Sequence, residues 1–392
     1  MACARDAAGL STQGGDAEAT DTDPWTPSEP AAAPDWARVL ELADHHGLTL
    51  LLNRYLGRDA PVSVPDPVLD RLRARARLRT RDNLRLTAEL VELSAAMEAA
   101  GIETIAYKGP VLSTRVFGDP SLRDYDDLDL LVRPRDVEAA SRFLERRGLK
   151  PWFEVRGDRE QRLPDSQYAR HFGDVENRLA VDLHWGFSQP YLTFAIDEAR
   201  IWETSETVPV GGRLIRTLPG PLLLLILCIH GSKHEPFPWN RLKWIVDVAA
   251  LMTGMDPAEW PAVLDHAREL RLERPLLFGL LVANRLLGAQ LAPAVRDRMA
   301  HAPLLDRLAL DAIGSLTPGE DDAGAARTRL DYDLRLLDRR RDRARYVLHR
   351  LFVPNPKDWA SFELPRGMAA AYYLLRPVRL VRAGLSRRPG PS

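Results

Sequence analysis

The apolar positions of this chain change their period twice, and the changes divide it into a helical prologue, an alternating middle and a long helical remainder. From Trp36 the pattern is helical: Val39, Leu40, Leu42 and Ala43 share one face, and Leu48, Leu50, Leu51, Leu52 and Leu56 follow Gly47. A longer helix is predicted from about Pro67 to Ala100, with Leu86, Leu90, Leu93, Ala96 and Met97 at helical spacing and Gly101 as its stop. Between Ile102 and about Arg216 strand-like and helix-like pieces alternate. Ile102 to Tyr107 and Asp127 to Val132 read as strands, Gly109 to Phe117 and Arg135 to Arg147 as helices. Further strands are predicted at Pro151 to Val155, Tyr168 to Val175 and Leu179 to Trp185, with a hairpin at Gly211-Gly212.

From Pro219 the helical period returns, beginning with Leu222 to Ile229, a run apolar on every side. Helices are expected at about 222 to 234, 239 to 253, 257 to 270, 273 to 288 and 293 to 314, then a basic helix at 331 to 351 and a last one at 367 to 384. The predicted organisation is a disordered tail at 1 to 34, an N-terminal helical segment at 35 to 101, an α/β core at 102 to 217, a helical domain at 218 to 316 and a C-terminal helical extension with a basic tail at 317 to 392.

Composition narrows the class. With 392 residues and 45% hydrophobic side chains the chain can bury a large core. Lys plus Arg number 54 against 55 Asp plus Glu, so no global charge argues for nucleic acid, and a long nucleic-acid acceptor is disfavoured. Two cysteines, Cys3 and Cys228, make no disulfide framework and fit a reducing cytoplasm. The N-terminus lacks the apolar stretch of a secretory signal, and no apolar run approaches the roughly 20 residues that span a bilayer, so no membrane span is expected. Only five basic residues are lysines, and three of them, Lys108, Lys233 and Lys243, fall in the two segments that carry candidate chemistry.

The first of those segments is IAYKGPVLSTRVFGDPSLRDYDDLDLLV, residues 105 to 132. Asp is disfavoured in strands, yet Asp127 and Asp129 head an apolar strand, and a period of two puts both on one face about 7 Å apart. Two like charges there need a cation, and a pair of Mg²⁺ ions roughly 4 Å apart is the arrangement that serves phosphoryl transfer, with carboxylates as hard ligands. Gly109 ends a strand and starts a helix, so its backbone and the helix N-terminus can meet phosphate, with Lys108 beside them. Ser113 is a candidate hydroxyl donor or a plain surface serine, and Arg123 a candidate for the polyphosphate or for holding Asp127 and Asp129 in place. In LAVDLHWGF, Asp182 supplies a third carboxylate that can complete a metal site and activate an incoming hydroxyl, with His184 on the same face to orient it or touch substrate, or simply to pack beside Trp185. The second segment, HGSKHEPFPWNRLKW, offers His230, Lys233, His234, Arg241 and Lys243 as possible substrate contacts; HExxH is absent, which disfavours catalytic zinc. Trp239 and Trp244 read as core or interface aromatics. The arginines from Arg339 to Arg345 and from Arg376 to Arg388 are open to RNA or acidic lipid, although Asp338 and Asp342 among them suit a solvated helix face.

Taken in order, KGPVLSTRVFGDPSLRDYDDLDLLV, VDLHWGF and LCIHGSKHEPFPWNRLKWIVDVAAL resemble the uncharacterised nucleotidyltransferase family of the DNA polymerase β-like nucleotidyltransferase superfamily, over most of residues 36 to 300. The glycine, the Asp-x-Asp pair and the later Asp of that pattern fall on Gly109, Asp127 with Asp129, and Asp182. The turn departs from it, reading Lys108-Gly109-Pro110 without a second small residue. The resemblance implies an α+β fold with a mixed β-sheet core and helices, flanked by N-terminal helices and a C-terminal helical region. It implies a nucleoside triphosphate such as ATP, its base unspecified, and two Mg²⁺ held by Asp127, Asp129 and Asp182. The expected activity is transfer of a nucleoside monophosphate from that triphosphate to a hydroxyl of a small molecule, peptide or protein. Two rivals stand beside it: a non-catalytic nucleotide-binding or antitoxin-like partner module, and a phosphotransferase moving the terminal phosphate. GxSxG, GxxxxGK[ST] and GxGxxG are absent, which sets aside common hydrolase, P-loop and dinucleotide classes.

Overall fold

A computed structural model of the chain describes residues 34–58, 63–152, 168–176, 178–187, 198–233, 238–316, 325–337, 339–354, 358, 361, 368 and 370–385. The expected N-terminal tail, most of the strand expected at Pro151 to Val155, and His234 lie outside them. Helices α1 (Trp36–His46), α2 (Thr49–Arg58) and α3 (Asp66–Ala99) form the prologue. Asp35 caps α1 by accepting from the Arg38 amide, and Gly47 ends it in the left-handed conformation, as Gly does at helix ends.

The core contains strands β1 (Ile105–Ala106), β2 (Leu128–Leu131), β3 (Lys150–Pro151), β4 (Ala169–Gly173) and β5 (Ala180–His184), with helices α4 (Gly109–Phe117) and α5 (Val137–Arg146) between them. Their order in the sheet is β1-β2-β5-β4-β3. The β2–β5 pair is parallel and the others antiparallel, so the sheet is mixed. Alternation divides its two faces. Leu128, Leu130, Val181, Leu183 and Phe172 bury against Leu90, Leu93 and Met97 of α3 and Ala140 and Leu144 of α5. Leu131 and Ile105 enter a second, larger apolar cluster contributed by the following helices. Asp129, Asp182 and His171 occupy register positions on that second face.

After α6 (Glu198–Glu203), strands β6 (Glu206–Val210) and β7 (Arg213–Thr217) form the hairpin expected at Gly211-Gly212. The helical region is α7 (Gly220–Lys233), α8 (Leu242–Thr253), α9 (Trp260–Glu269), α10 (Glu273–Leu287), α11 (Pro293–Met299), α12 (Pro303–Gly314), α13 (Ala325–Leu336), α14 (Arg340–Phe352) and α15 (Ala371–Leu385). Two single helices expected from periodicity are each divided. Pro303, which cannot donate a backbone hydrogen bond, begins α12 and separates it from α11, and in the basic segment α13 ends at Leu336 and α14 begins at Arg340. Among the described residues no helix is long and apolar enough to cross a membrane.

The all-round apolarity of α7 follows from its position: Leu222 to Ile229 are all buried, with α8 and α10 packed against the helix. Trp239 locks this packing. Its backbone adopts φ 57°, its amide donates to the Gly231 carbonyl at 2.9 Å, and its side chain is completely buried. A Cβ on Gly231 would lie 2.6 Å from the indole, and one on Gly279 would lie 2.6 Å from Cys228 Sγ and 2.8 Å from the indole. Gly231→Ala and Gly279→Ala should therefore each lower stability by about 1–3 kcal/mol in urea denaturation. Gly57→Ala in α2, where a Cβ meets nothing within 4 Å, should raise it by roughly 0.5–1 kcal/mol.

Candidate functional site

Parallel pairing of β2 with β5 puts Asp129 directly opposite Asp182, and the antiparallel neighbour β4 puts His171 opposite Asp182. Three chemically active side chains thus form one row across the sheet. Asp129 Oδ1 accepts from Lys108 Nζ at 2.8 Å and lies 3.1 Å from His184 Nε2. Asp182 Oδ1 lies 2.5 Å from His171 Nδ1. Asp129, Asp182 and His184 present ligand atoms within 4.8 Å of one another, a spacing that one metal ion can bridge. Asp127, expected to share a cation with Asp129 along the strand, precedes β2 and is not part of that group; its link to it is through charge.

The charges in this row are far from balanced. Burial and then repulsion by Asp129 and Asp182 push the Asp127 carboxyl up to about 7. Burial acts the same way on Asp129, but the Lys108 ammonium and the hydrogen bond with His184 overcome it and hold Asp129 well below the usual carboxylate range. The hydrogen bond to Asp182 raises His171, whereas burial lowers His184.

The turn before α4 closes one side of the row. Gly109 has φ 55°, a conformation suited to glycine, and a Cβ there would come within 3.4 Å of the Asp127 carbonyl oxygen. Backbone turn and acid-bearing loop therefore pack directly together, with the N-terminus of α4 beside the acids. Lys108 is the N-cap residue of that helix, and its side chain makes no capping bond; it reaches Asp129 instead.

The loop from Asp119 to Asp127 is fixed from three directions. Ser113 Oγ donates to the Asp119 carbonyl at 2.7 Å and accepts from the Arg123 amide at 3.1 Å. Asn83 of α3 donates to the Ser121 and Arg123 carbonyls, and the Tyr125 hydroxyl donates to the Pro120 carbonyl at 2.8 Å. From α8, Asp247 receives Arg123 Nε on both carboxylate oxygens at 2.9 and 3.0 Å, and Lys243 Nζ donates to the Asp124 carbonyl at 3.2 Å. Ser113 Oγ and Arg123 Nε, from two candidates for phosphate contact, thus bond the loop and α8. Burial, then the nearby Arg123 guanidinium, lowers Lys243.

Of the remaining candidates, Lys233 donates to the Phe187 carbonyl at 2.8 Å and lies over the Tyr168 ring, which itself neighbours His184. His230 is half-buried and meets Trp244 edge-on at 5.0 Å. The sequence reading missed His171, Asn83, Tyr125 and Asp247. One of these carried a signal: Asp247 is the lone acid in the apolar run of α8, one turn after Lys243.

A mixed sheet that places paired acids beside a lysine-glycine turn at a helix N-terminus defines a nucleotidyltransferase core. The chain belongs to the uncharacterised nucleotidyltransferase family, whose pattern matches residues 32–288. Among solved structures it is similar to the solution structure of the antibiotic-resistance factor ANT(2'')-Ia, with 13% identity, 48% of this chain and 93% of that one covered, and a TM-score of 0.35. It is also similar to an antigenic nucleotidyltransferase-like protein from Paracoccidioides brasiliensis, with 14% identity, 53% and 93% covered, and a TM-score of 0.30. Among curated proteins no sequence matches.

Two expectations follow from the geometry. Asp247→Ala strands the buried Arg123 guanidinium and should cost about 3–5 kcal/mol in chemical denaturation. The second concerns pH. The folded chain keeps a proton on Asp127 up to about 7, whereas the unfolded chain releases it near 3.8, so the folded form binds more protons between those values. Stability of the metal-free protein should fall as pH rises through that window, an effect that Asp127→Asn should remove in thermal melts across pH.

Proposed function

We propose that this protein transfers a nucleoside monophosphate from a nucleoside triphosphate to a hydroxyl group, releasing pyrophosphate, with two Mg²⁺ ions. The observation that carries the reading is the in-register pairing of Asp129 with Asp182 beside His184. The donor set fits divalent cations: hard carboxylate oxygens predominate, and Asp127, raised first by burial, is raised further by the neighbouring Asp129 and Asp182 carboxylates. Asp127, Asp129 and Asp182 would hold the ions, which when bound polarise the phosphoryl oxygens and stabilise the attacking and leaving oxygens.

The chain's own residues supply the rest. Lys108 has two uses for one ammonium: in the free protein it pairs with Asp129, and it would meet the phosphates of a bound triphosphate if cations held that carboxylate. The Gly109 backbone and the first turn of α4 receive the phosphates, because free N–H groups point outward at a helix start. Asp182 takes the proton of the incoming hydroxyl, and His171, hydrogen-bonded to it, fixes its orientation. Ser113 and Arg123 act one step back by holding the acid-bearing loop. Lys233 and Lys243 stand on the helical side of the site, where they add positive potential.

Calorimetry with each ribonucleoside triphosphate, with and without Mg²⁺, should give metal-dependent binding that Asp129→Asn and Asp182→Asn weaken. Pyrophosphate release in the presence of hydroxyl acceptors should fall on the order of a hundredfold or more in either variant. Metal-dependent binding with no turnover would favour a nucleotide-sensing module, which the closed Lys108–Asp129 pair would suit. Release of a nucleoside diphosphate would indicate terminal phosphate transfer.

A further inference from the structure

Helix α15 is turned inside out. Its arginines Arg376 and Arg379 point inward and both pair with Asp358, whose side chain is completely buried. Its solvent side is largely apolar instead: Leu374 is 75% exposed and Val381 62%, and Tyr373 and Val378 are exposed with them, followed by Arg382. Positions 374, 378 and 381 follow the i, i+4, i+7 spacing of a single helical stripe. An ordinary surface helix has the reverse arrangement.

The apolar surface continues onto α14. Arg376 Nε donates to the Arg350 carbonyl at 2.9 Å, which places the middle of α15 against the end of α14. There Leu348, Leu351 and Phe352 are exposed. One to three turns back along α14, the outward residues are Arg340, Arg341 and Arg345. Asp342, expected to balance them on a solvated face, is buried, 3.8 Å from Arg271 and 3.9 Å from Arg341 Nε. Between Arg339 and the last residue the chain has thirteen Lys and Arg against three acids, Asp342, Asp358 and Glu363, although the whole chain has a formal net charge of −1. Two of those three acids are buried in ion pairs.

We propose that the α14–α15 pair docks this protein onto an anionic lipid surface. Seven exposed apolar side chains enter the headgroup boundary and the flanking arginines meet lipid phosphates, the combination that holds amphipathic helices at membrane interfaces. The concentrated positive charge disfavours a second copy of the same face. RNA would use the arginines but leave the apolar stripe in water. The assignment is independent of the nucleotidyl-transfer reading.

The test is co-sedimentation of the full-length protein with vesicles of phosphatidylcholine alone and of phosphatidylcholine mixed with phosphatidylglycerol. Binding is expected only to the anionic vesicles and should weaken as salt is raised. The triple variant Arg340→Gln/Arg341→Gln/Arg345→Gln should bind on the order of a hundredfold more weakly. Leu374→Ser/Val378→Ser/Val381→Ser should also lose binding, with an unchanged melting profile because the three side chains are exposed. Absence of binding to anionic vesicles, or equal binding to both vesicle types, would overturn the proposal. So would lipid-independent self-association abolished by the serine variant. Capture of a single-stranded RNA oligonucleotide that depends on the arginines but not on the apolar stripe, without vesicle binding, would reassign the surface to nucleic acid.

Discussion

The parallel register between β2 and β5 is the constraint on which the site depends. It places two carboxylates, Asp129 and Asp182, side by side on one face of a buried sheet, with Asp127 close enough to feel both. In a medium of low polarity that arrangement is costly unless positive charge or hydrogen bonds offset it. Lys108, His184 and His171 are each placed to do so. Each comes from a different local source: the turn before α4, the end of β5 and the middle of β4. None could act without the sheet order that brings these segments together.

The same constraint accounts for the interest of the helical region in the acid-bearing loop. A carboxylate displaced by about an ångström loses much of its use in a positioned reaction, and an unsupported loop would relax to separate its like charges. Helix α8 opposes this by offering Lys243 and Asp247 one turn apart, the first to the Asp124 carbonyl and the second to Arg123. On the other side, Asn83 of α3 holds the Arg123 carbonyl at 2.8 Å. The prologue and the helical region thus grip one loop between them, and the apolar packing around Trp239 is what keeps α7, α8 and α10 rigid enough for that grip.

Much of this was legible in the sequence, for reasons that can be stated. Helix α4 begins and ends at the expected residues because Gly109 and Gly118, both with positive φ, mark its two ends. Asp127, Asp129 and Asp182 stood out because acids in apolar strands demand an explanation. What sequence could not supply was pairing. Periodicity along β2 relates Asp129 to Asp127, whereas the hydrogen-bonded sheet makes Asp182 the direct partner of Asp129. For Arg123 the sequence left phosphate contact and support of the acids both open, because its partner, Asp247, lies far away in the chain. The division of α11 from α12 was available at Pro303 but hidden by continuous apolar spacing.

Among the described residues, closed ion pairs and an open cluster of acids are separate kinds of buried charge, and the distinction separates architecture from chemistry. Arg123 with Asp247, and Arg376 and Arg379 with Asp358, are clusters in which carboxylate and guanidinium meet inside the protein and leave no acid unopposed. Such closed pairs orient elements and have little further capacity to bind ions. The cluster of Asp127, Asp129 and Asp182 is different: Lys108 pairs with Asp129 and His171 with Asp182, while Asp127, raised by burial and then by the other two carboxylates, makes no such pair among the described residues. Evolution tolerates such a cluster where a cation arrives with the substrate, because an ion that binds only the folded chain stabilises it by mass action. Under the proposed function, the imbalance that weakens the empty protein would favour a metal-bearing triphosphate.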